Sequence, residues 1–433
     1  MASNSVILIM FLIFAVCLLI QVPIGYSIGF ACLYFMTQSN AITLNSFGSA
    51  MFSSVDSFPL MAIPLFVLTG ALMEGGGLAR RLINFVEAFI GQFTGGLAMA
   101  GIITCAFFGA ISGSALATVA AIGSIIVPVM VEAGYDQKWA WGLMSAAGCL
   151  GIIIPPSIPM VLYASSTNVS IGTLFMGGFG PGLFLTLALC AVTYFMCKKR
   201  GYKGNGAAFS LRNVAKQLKD SIWALIIPVI ILGGIYGGFC TPTEAAAVAV
   251  VYSALAGKFI YKELTVKKLL QGLQSTAITN ATILIVVATA TVFGRVLTVS
   301  QIPAKIIELL SNVTDSYIIL LLLINLLLLV VGCIVDTTAA IIILAPMLYP
   351  LVSAYGVNLI HFGLIMVLNL AIGLCTPPVG ANLFVASGLS GLPFNQVSKQ
   401  VLPFLLVMLA VLMAVTFVPG ITLLLPKLLG LPL

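Results

Sequence analysis

Along the chain, apolar runs of bilayer-crossing length follow one another, separated by short Gly/Pro or polar breaks and with almost no charge inside them. A helical crossing takes roughly 20 apolar residues. That spacing predicts spans over 5–21, 23–37, 57–73, 138–165, 172–197, 221–240, 243–260, 273–295, 359–388 and 396–425. Two further apolar segments, 96–131 and 316–353, are too long for one crossing and too interrupted for a plain helix. Each has a small polar cluster at its centre, Ser112-Gly113-Ser114 in the first and Asp336-Thr337-Thr338 in the second. Polar groups at mid-bilayer depth need protein cover, so both segments read as re-entrant helical hairpins with buried tips. The expected fold is an all-α polytopic membrane protein with about 10 spans plus two hairpins. The first run, Val6–Ile20, has no basic residue before it and no small-residue cleavage site after it, and reads as a retained span.

Composition narrows the function. Only 7% of the 433 residues are charged, against about 25% in a soluble protein, so lipid must be the main solvent. One histidine excludes a His-based zinc or di-iron centre, and the nine cysteines form no C-x-x-C pair and read as small packing residues. No P-loop string occurs, so the chain is not expected to hydrolyse ATP. The net charge of +7 does not point to nucleic acid, because of where it lies. With 198–219 placed in the cytoplasm, loops 74–95, 132–138, 258–268 and 389–400 fall on the same side, and 15 of the 18 basic residues are then inside. Arg295, Lys305 and Lys427 are left outside or near it, and both termini are expected to be external.

The chain also matches itself at an offset of 222 residues. Pro128 falls on Pro350, Gly134 on Gly356, Gly151 on Gly373, Pro155-Pro156 on Pro377-Pro378 and Pro181 on Pro403. Because Gly and Pro mark backbone breaks, their agreement carries more weight than apolar matches. The same offset lays Ser114 on Asp336, the two hairpin centres. The span count reverses orientation between copies, giving two inverted-topology repeats, 1–197 and 221–433, joined by a basic cytoplasmic linker, 198–220. Inverted repeats with broken helices at mid-membrane are the plan of secondary transporters.

A proline pair removes two N–H donors and frees carbonyls of the preceding turn. Such carbonyls, with hydroxyls from a nearby tip, form an oxygen cage suited to Na⁺, while the next half-helix offers N–H groups to an anion. One candidate cage combines Ser112, Gly113 and Ser114 with Gly151 and Pro155; the other combines Asp336, Thr337 and Thr338 with Gly373, Thr376 and Pro377. Kinking and close helix packing would account for one such motif; two copies in register favour the cation reading. Ser157, Ser165, Ser166, Thr167 and Asn382 are polar candidates for a hydroxylated acid. Arg295 reads either as a carboxylate receptor or as a snorkelling interface residue. Glu244, in Thr241-Pro242-Thr243-Glu244, suits a helix N-terminus or transport, and His361 reads as an interface residue. Amphipathic stretches 78–92 and 300–312 read as helices in the membrane plane that brace the hairpins. An intramembrane protease would need a nucleophile–base pair or facing aspartates, and only Asp336 is central, so no enzyme is expected.

The strings IPLFVLTGALMEGGGLARRL (63–82), FGAISGSALATVAAIGSIIVP (108–128), GIIIPPSIP (151–159), TPTEAAAVAVVY (241–252) and GLCTPPVGANLF (373–384) resemble the large membrane subunit of tripartite ATP-independent periplasmic (TRAP) transporters. The Thr-Pro-Pro element also resembles the divalent-anion/sodium symporters of the wider ion-transporter superfamily. The TRAP resemblance implies a bacterial inner-membrane permease that takes up an organic acid (sialic acid, a C4-dicarboxylate or another sugar acid) with Na⁺ and an elevator motion. It also implies two partners, a small four-helix membrane subunit as a separate chain and a soluble periplasmic substrate-binding protein. The substrate would then lie between the hairpin tips. The alternative function is a stand-alone Na⁺- or H⁺-coupled carboxylate symporter.

Overall fold

The computed structural model describes residues 4–39, 43–204, 209–302, 305 and 316–433, and its regular elements are helices. The first half contains α1 (Asn4–Leu19), α2 (Ile24–Gln38), α3 (Leu44–Val55), α4 (Ala62–Gly75) and α5 (Leu78–Ile90). A first hairpin follows, α6 (Gly96–Ser112) and α7 (Ala115–Glu132), then α8 (Gln137–Gly148), the single turn α9 (Leu150–Ile153), α10 (Ile158–Thr167) and α11 (Ile171–Arg200). The second half contains α12 (Leu211–Tyr236), α13 (Pro242–Leu255), α14 (Val266–Val299) and the hairpin α15 (Tyr317–Ile334) and α16 (Thr337–Ala354). It ends with α17 (Leu359–Gly373), α18 (Ala381–Ser390), α19 (Phe394–Phe417) and α20 (Gly420–Leu428). Among the described residues nine helices are long and apolar enough to cross a membrane, or ten if the bent pair around Pro155-Pro156 is one span.

The 222-residue offset recurs in the helix boundaries. Ser112 and Ile334 end the first hairpin arms, Ala115–Glu132 and Thr337–Ala354 are the second arms, and Gln137 and Leu359 begin the next helices. Capping chemistry recurs as well: Asp136 accepts from the Lys138 N–H at 2.8 Å and Asn358 from the Ile360 N–H at 2.9 Å. Both Pro-Pro peptide bonds are cis.

Packing exchanges the broken helices between the two halves. α10, which follows the first break, packs on α16 of the second hairpin, and α18, which follows the second, packs on α7 of the first. Cys149 and Ala371, equivalent positions, meet where the halves join, with the Cys149 Sγ 2.9 Å from the Ala371 carbonyl. Around this centre, α14 packs along α2, α3, α4 and α16. The amphipathic α5 buries Leu78, Leu82 and Val86 and lies between α6 and α12, so it links the first hairpin to the surrounding helices.

Loops assigned to one side by charge do converge. Arg81 pairs with Glu263 at 2.8 Å and lies over the Tyr261 ring, Lys268 donates to the Gly75 carbonyl, and Tyr261 donates to the Asp220 carbonyl. Among the other loops of that set, the Asp136 N–H donates to Tyr202 and Arg200 to Gln400.

The structure corrects or extends the sequence reading at three places, and a fourth lies largely outside the described residues. The linker 198–220 is largely helical: α11 continues to Arg200, and Ser210 caps α12 by accepting from the Asn213 N–H, so basic residues lie on exposed helix faces. α3 was missed altogether; Thr43 and Ser46 start it with a reciprocal capping box. His361 is buried rather than interfacial, 2.8 Å from the Thr422 hydroxyl and 3.2 Å from the Thr416 carbonyl. Most of 300–312 lies outside the described residues.

Glycine is what lets each hairpin arm touch its broken helix. A Cβ on Gly109 would sit 2.6 Å from the Gly151 Cα, and one on Gly373 would sit 2.7 Å from the Gly332 Cα. Gly109→Ala and Gly373→Ala are each expected to destabilise the protein by about 1–3 kcal/mol. Gly388→Ala, with open space around it, should change little; thermal unfolding in detergent that ranks all three alike would contradict this packing.

Candidate functional site

The first tip is held by its own hydroxyls and by the break beside it. Gly113 turns the chain in the left-handed region (φ 61°), which costs a glycine little. Ser114 then caps α7 by accepting from the Ala117 N–H at 3.3 Å. Thr118 donates to the Ser114 carbonyl at 2.7 Å, and its oxygen lies 3.3 Å from that of Ser112. The Ile158 N–H, just past the Pro-Pro pair, reaches the Gly113 carbonyl at 3.4 Å. Pro155 has no N–H to offer the Gly151 carbonyl, and a Cβ on Gly151 would sit 2.6 Å from the Ser114 carbonyl oxygen. Ser112, Gly113, Ser114, Gly151 and Pro155 are therefore brought together.

The second tip repeats the plan with a charge. Asp336 caps α16, its carboxylate accepting from the Thr338 N–H at 2.8 Å. The tip is tied to its break by the Gly380 N–H donating to the Cys333 carbonyl at 3.2 Å and by Cys333 Sγ 3.2 Å from the Thr376 carbonyl. The Leu374 carbonyl, deprived of a donor by Pro378, accepts from the Asn382 N–H at 2.9 Å. Asp336 is exposed to a cavity and makes no ion pair with a described residue. The buried Thr337 hydroxyl has no hydrogen-bond partner, an orphaned oxygen of the kind a bound cation would satisfy.

Both tips open on one cavity of about 310 Å³. Ser114 and Ile152 come from the first half, Asp336, Thr337, Thr338 and Leu374 from the second, and Thr279 and Thr282 of α14 form a third wall. This inner cavity combines one carboxylate with hydroxyls from three elements, and among the described residues no cationic side chain lines it. It is suited to a cation and a small polar solute together.

The residues expected to bind substrate separate into two groups. Ser165, Ser166 and Arg295 line a different, outer cavity of about 690 Å³, bordered also by α3 and α16. Ser157, Thr167 and Asn382 are buried in protein and line neither cavity. Ser157 caps α10, donating to the Ile152 carbonyl at 2.6 Å and accepting from the Met160 N–H at 3.4 Å; Thr167 donates to the Tyr163 carbonyl. Asn382 donates to the Ser145 carbonyl at 3.0 Å and thereby joins the two halves. Glu244 is a cap, its carboxylate accepting from the Thr241 N–H and hydroxyl at 2.8 Å each.

Sequence reasoning missed the hydroxyls of α3 and α14. Ser46, Ser53, Ser54 and Ser57 recur at helical spacing, as do Thr291, Arg295 and Thr298, and these are the signals that would have found the outer cavity.

A sequence profile for the DctM component of the tripartite ATP-independent periplasmic transporters matches residues 11–421. The chain is 46% identical over 413 residues to the isethionate TRAP transporter permease protein DctMQ of Oleidesulfovibrio alaskensis. That match covers 95% of this chain and 65% of the relative, so the chain spans just under two thirds of that protein. It is 39% identical over 437 residues to the C4-dicarboxylate TRAP transporter large permease protein DctM of Rhodobacter capsulatus, covering 98% and 99% of the two chains. It is 40% identical over 406 residues to the sialic acid TRAP transporter large permease protein SiaM of Vibrio cholerae, covering 94% and 95%. Among solved structures it resembles the YdaH transporter of Alcanivorax borkumensis, with a TM-score of 0.61, 14% identity and coverage of 87% and 89%, a likeness of fold.

Exposure at the tips is directly measurable. In a cysteine-free background, Ser114→Cys and Asp336→Cys should react with a small water-soluble thiol reagent, whereas Ser157→Cys, at 0% exposure, should not. Equal labelling at all three positions would contradict the inner cavity.

Proposed function

The chain belongs to the DctM-component family of the tripartite ATP-independent periplasmic transporters, and from that premise we propose that it imports an organic acid driven by a Na⁺ gradient. The observation that carries this reading is Asp336, a carboxylate with no ion-pair partner among the described residues, facing the Ser114 tip across one cavity. A carboxylate that faces a cavity at the break between two apolar helices, with no side-chain counter-charge, is a ready ligand for a transported cation. We assign one Na⁺ to Ser112, Gly113, Ser114, Gly151 and Pro155 and a second to Asp336, Thr337, Thr338, Gly373, Thr376 and Pro377. The acid would occupy the space between the two tips, where bound Na⁺ supplies the positive charge that the inner cavity's own side chains lack.

Matching helix boundaries in the two halves support inverted repeats over 1–197 and 221–433. In this reading the hairpins and broken helices travel as one body against α2–α4 and α12–α14. α5 is the brace that links the two bodies. The convergent basic loops face the cytoplasm and both termini face the periplasm of a bacterial inner membrane. A soluble binding protein delivers the acid and a small four-helix membrane subunit completes the permease. The relatives' acids, isethionate, C4-dicarboxylates and sialic acid, bound the substrate class. No chemical conversion of the acid is part of this cycle.

Proteoliposomes carrying the chain and its membrane partner should take up a labelled acid from this set only with an inward Na⁺ gradient and a binding protein. Asp336→Asn should remove the Na⁺-stimulated component while leaving the protein folded. Uptake that proceeds without the binding protein would instead identify a stand-alone symporter, and uptake indifferent to Na⁺ would overturn the coupling.

A further inference from the structure

Two cavities border the hairpins, and the same three helices line both. α10 gives Ile158 and Pro159 to the inner cavity and Leu162, Ser165 and Ser166 to the outer. α14 gives Ile283 to the inner and Val287 to the outer, and α16 gives Thr338 and Ile342 respectively. On each helix the step is one turn, about 6 Å. Leu162, Ile283, Val287 and Ile342 are all buried and apolar, so they form a septum between the cavities. The outer cavity is thus a separate compartment, with its own chemistry.

That chemistry is specific. Among the described residues, Arg295 is the one charged side chain in its lining, and it has no hydrogen bond or ion pair to another of them. Eight hydroxyls share the lining with it, and six of them donate to backbone carbonyls. Ser54 donates to Met51, Ser166 to Tyr163, Thr291 to Val287 and Thr298 to Gly294, at 2.8–2.9 Å; Ser46 and Ser53 do the same. A hydroxyl whose proton is committed to the backbone presents lone pairs to the cavity. It therefore welcomes a ligand hydroxyl and repels a second anionic group. The guanidinium, with its planar fork of donors, takes one carboxylate or sulfonate.

We infer that the outer cavity is a distinct binding station for an organic acid bearing one anionic group and at least one hydroxyl, occupied before the acid passes the apolar septum. This rests on the reading of the chain as an organic-acid permease, and it narrows the substrate class by disfavouring dicarboxylates. It also gives α3 a role, since the serine face of that helix forms one wall of the station.

Binding can be measured apart from transport, with the protein and its membrane partner in lipid nanodiscs and choline replacing Na⁺. The probes are isethionate, gluconate, ethanesulfonate and succinate. Isethionate or gluconate should bind, ethanesulfonate should bind more weakly for want of its hydroxyl, and succinate should bind weakest of all. Arg295→Gln should weaken the hydroxylated monoanion by roughly 10- to 100-fold, and Arg295→Lys should restore part of that loss, which a merely structural role would not produce. Size-exclusion profiles check that both variants remain folded. Unchanged binding in Arg295→Gln, succinate binding as tightly as gluconate, or no binding by any probe would each overturn the station. Because Na⁺ is absent, these outcomes are independent of coupling. Failure of Na⁺-driven uptake with the station's binding intact would count against the proposed function and not against the station.

Discussion

A helix broken inside a bilayer must have every freed backbone group covered by protein, and this constraint organises the molecule. Each Pro-Pro break is closed by a hairpin tip: the Gly113 carbonyl takes the Ile158 N–H in the first half, and the Cys333 carbonyl takes the Gly380 N–H in the second. Contact that close requires glycine on the facing surfaces, at Gly109 against Gly151 and at Gly332 against Gly373. The tips are therefore fixed relative to the breaks, and hydroxyls, carbonyls and one carboxylate gather around a single cavity. The same arrangement that covers a broken backbone provides oxygen ligands for a cation.

Exchange of α10 and α18 between the halves packs each break against the opposite hairpin, so the two tip–break units form one continuous packed unit. α14 stands beside this body as a continuous wall with threonines toward both cavities. Two polar ties anchor α5: the partly exposed pair of Arg81 with Glu263, and the buried Ser221 hydroxyl of α12 donating to the Arg81 carbonyl. Arg81 and Glu263 are both partly exposed, so their pairing contributes little stability; its value is in fixing where α5 crosses. Motion of the central body would have to pivot on such polar contacts, because the apolar faces of α5 are buried on both sides.

Much of this was legible in the sequence. The helix breaks at 113–114 and 335–336 were readable because Ser-Gly-Ser and Asp-Thr-Thr interrupt apolar segments too long for one crossing, and those at the proline pairs because the pairs recur at a fixed offset. Glu244 was readable as a cap, since Thr-Pro-Thr-Glu holds the spacing of a reciprocal capping box. α3 was not readable, because Leu44–Val55 is rich in Ser and Gly and too short and polar to register as a span. Ser157 illustrates a different limit: it lies in the right string, yet its hydroxyl is consumed by Ile152 and Met160. Nor does sequence say that Arg295 and Asp336 face different compartments, because that depends on which turns of α10, α14 and α16 the septum occupies.

In the proposed cycle the two tips hold the coupling ion. Equilibrium binding of radiolabelled Na⁺ to the protein in nanodiscs tests it most directly, without substrate or binding protein. Saturable Na⁺ binding that Asp336→Asn diminishes, and that Arg295→Gln leaves intact, is the result this account predicts. No saturable Na⁺ binding, or binding that Asp336→Asn does not alter, would contradict it.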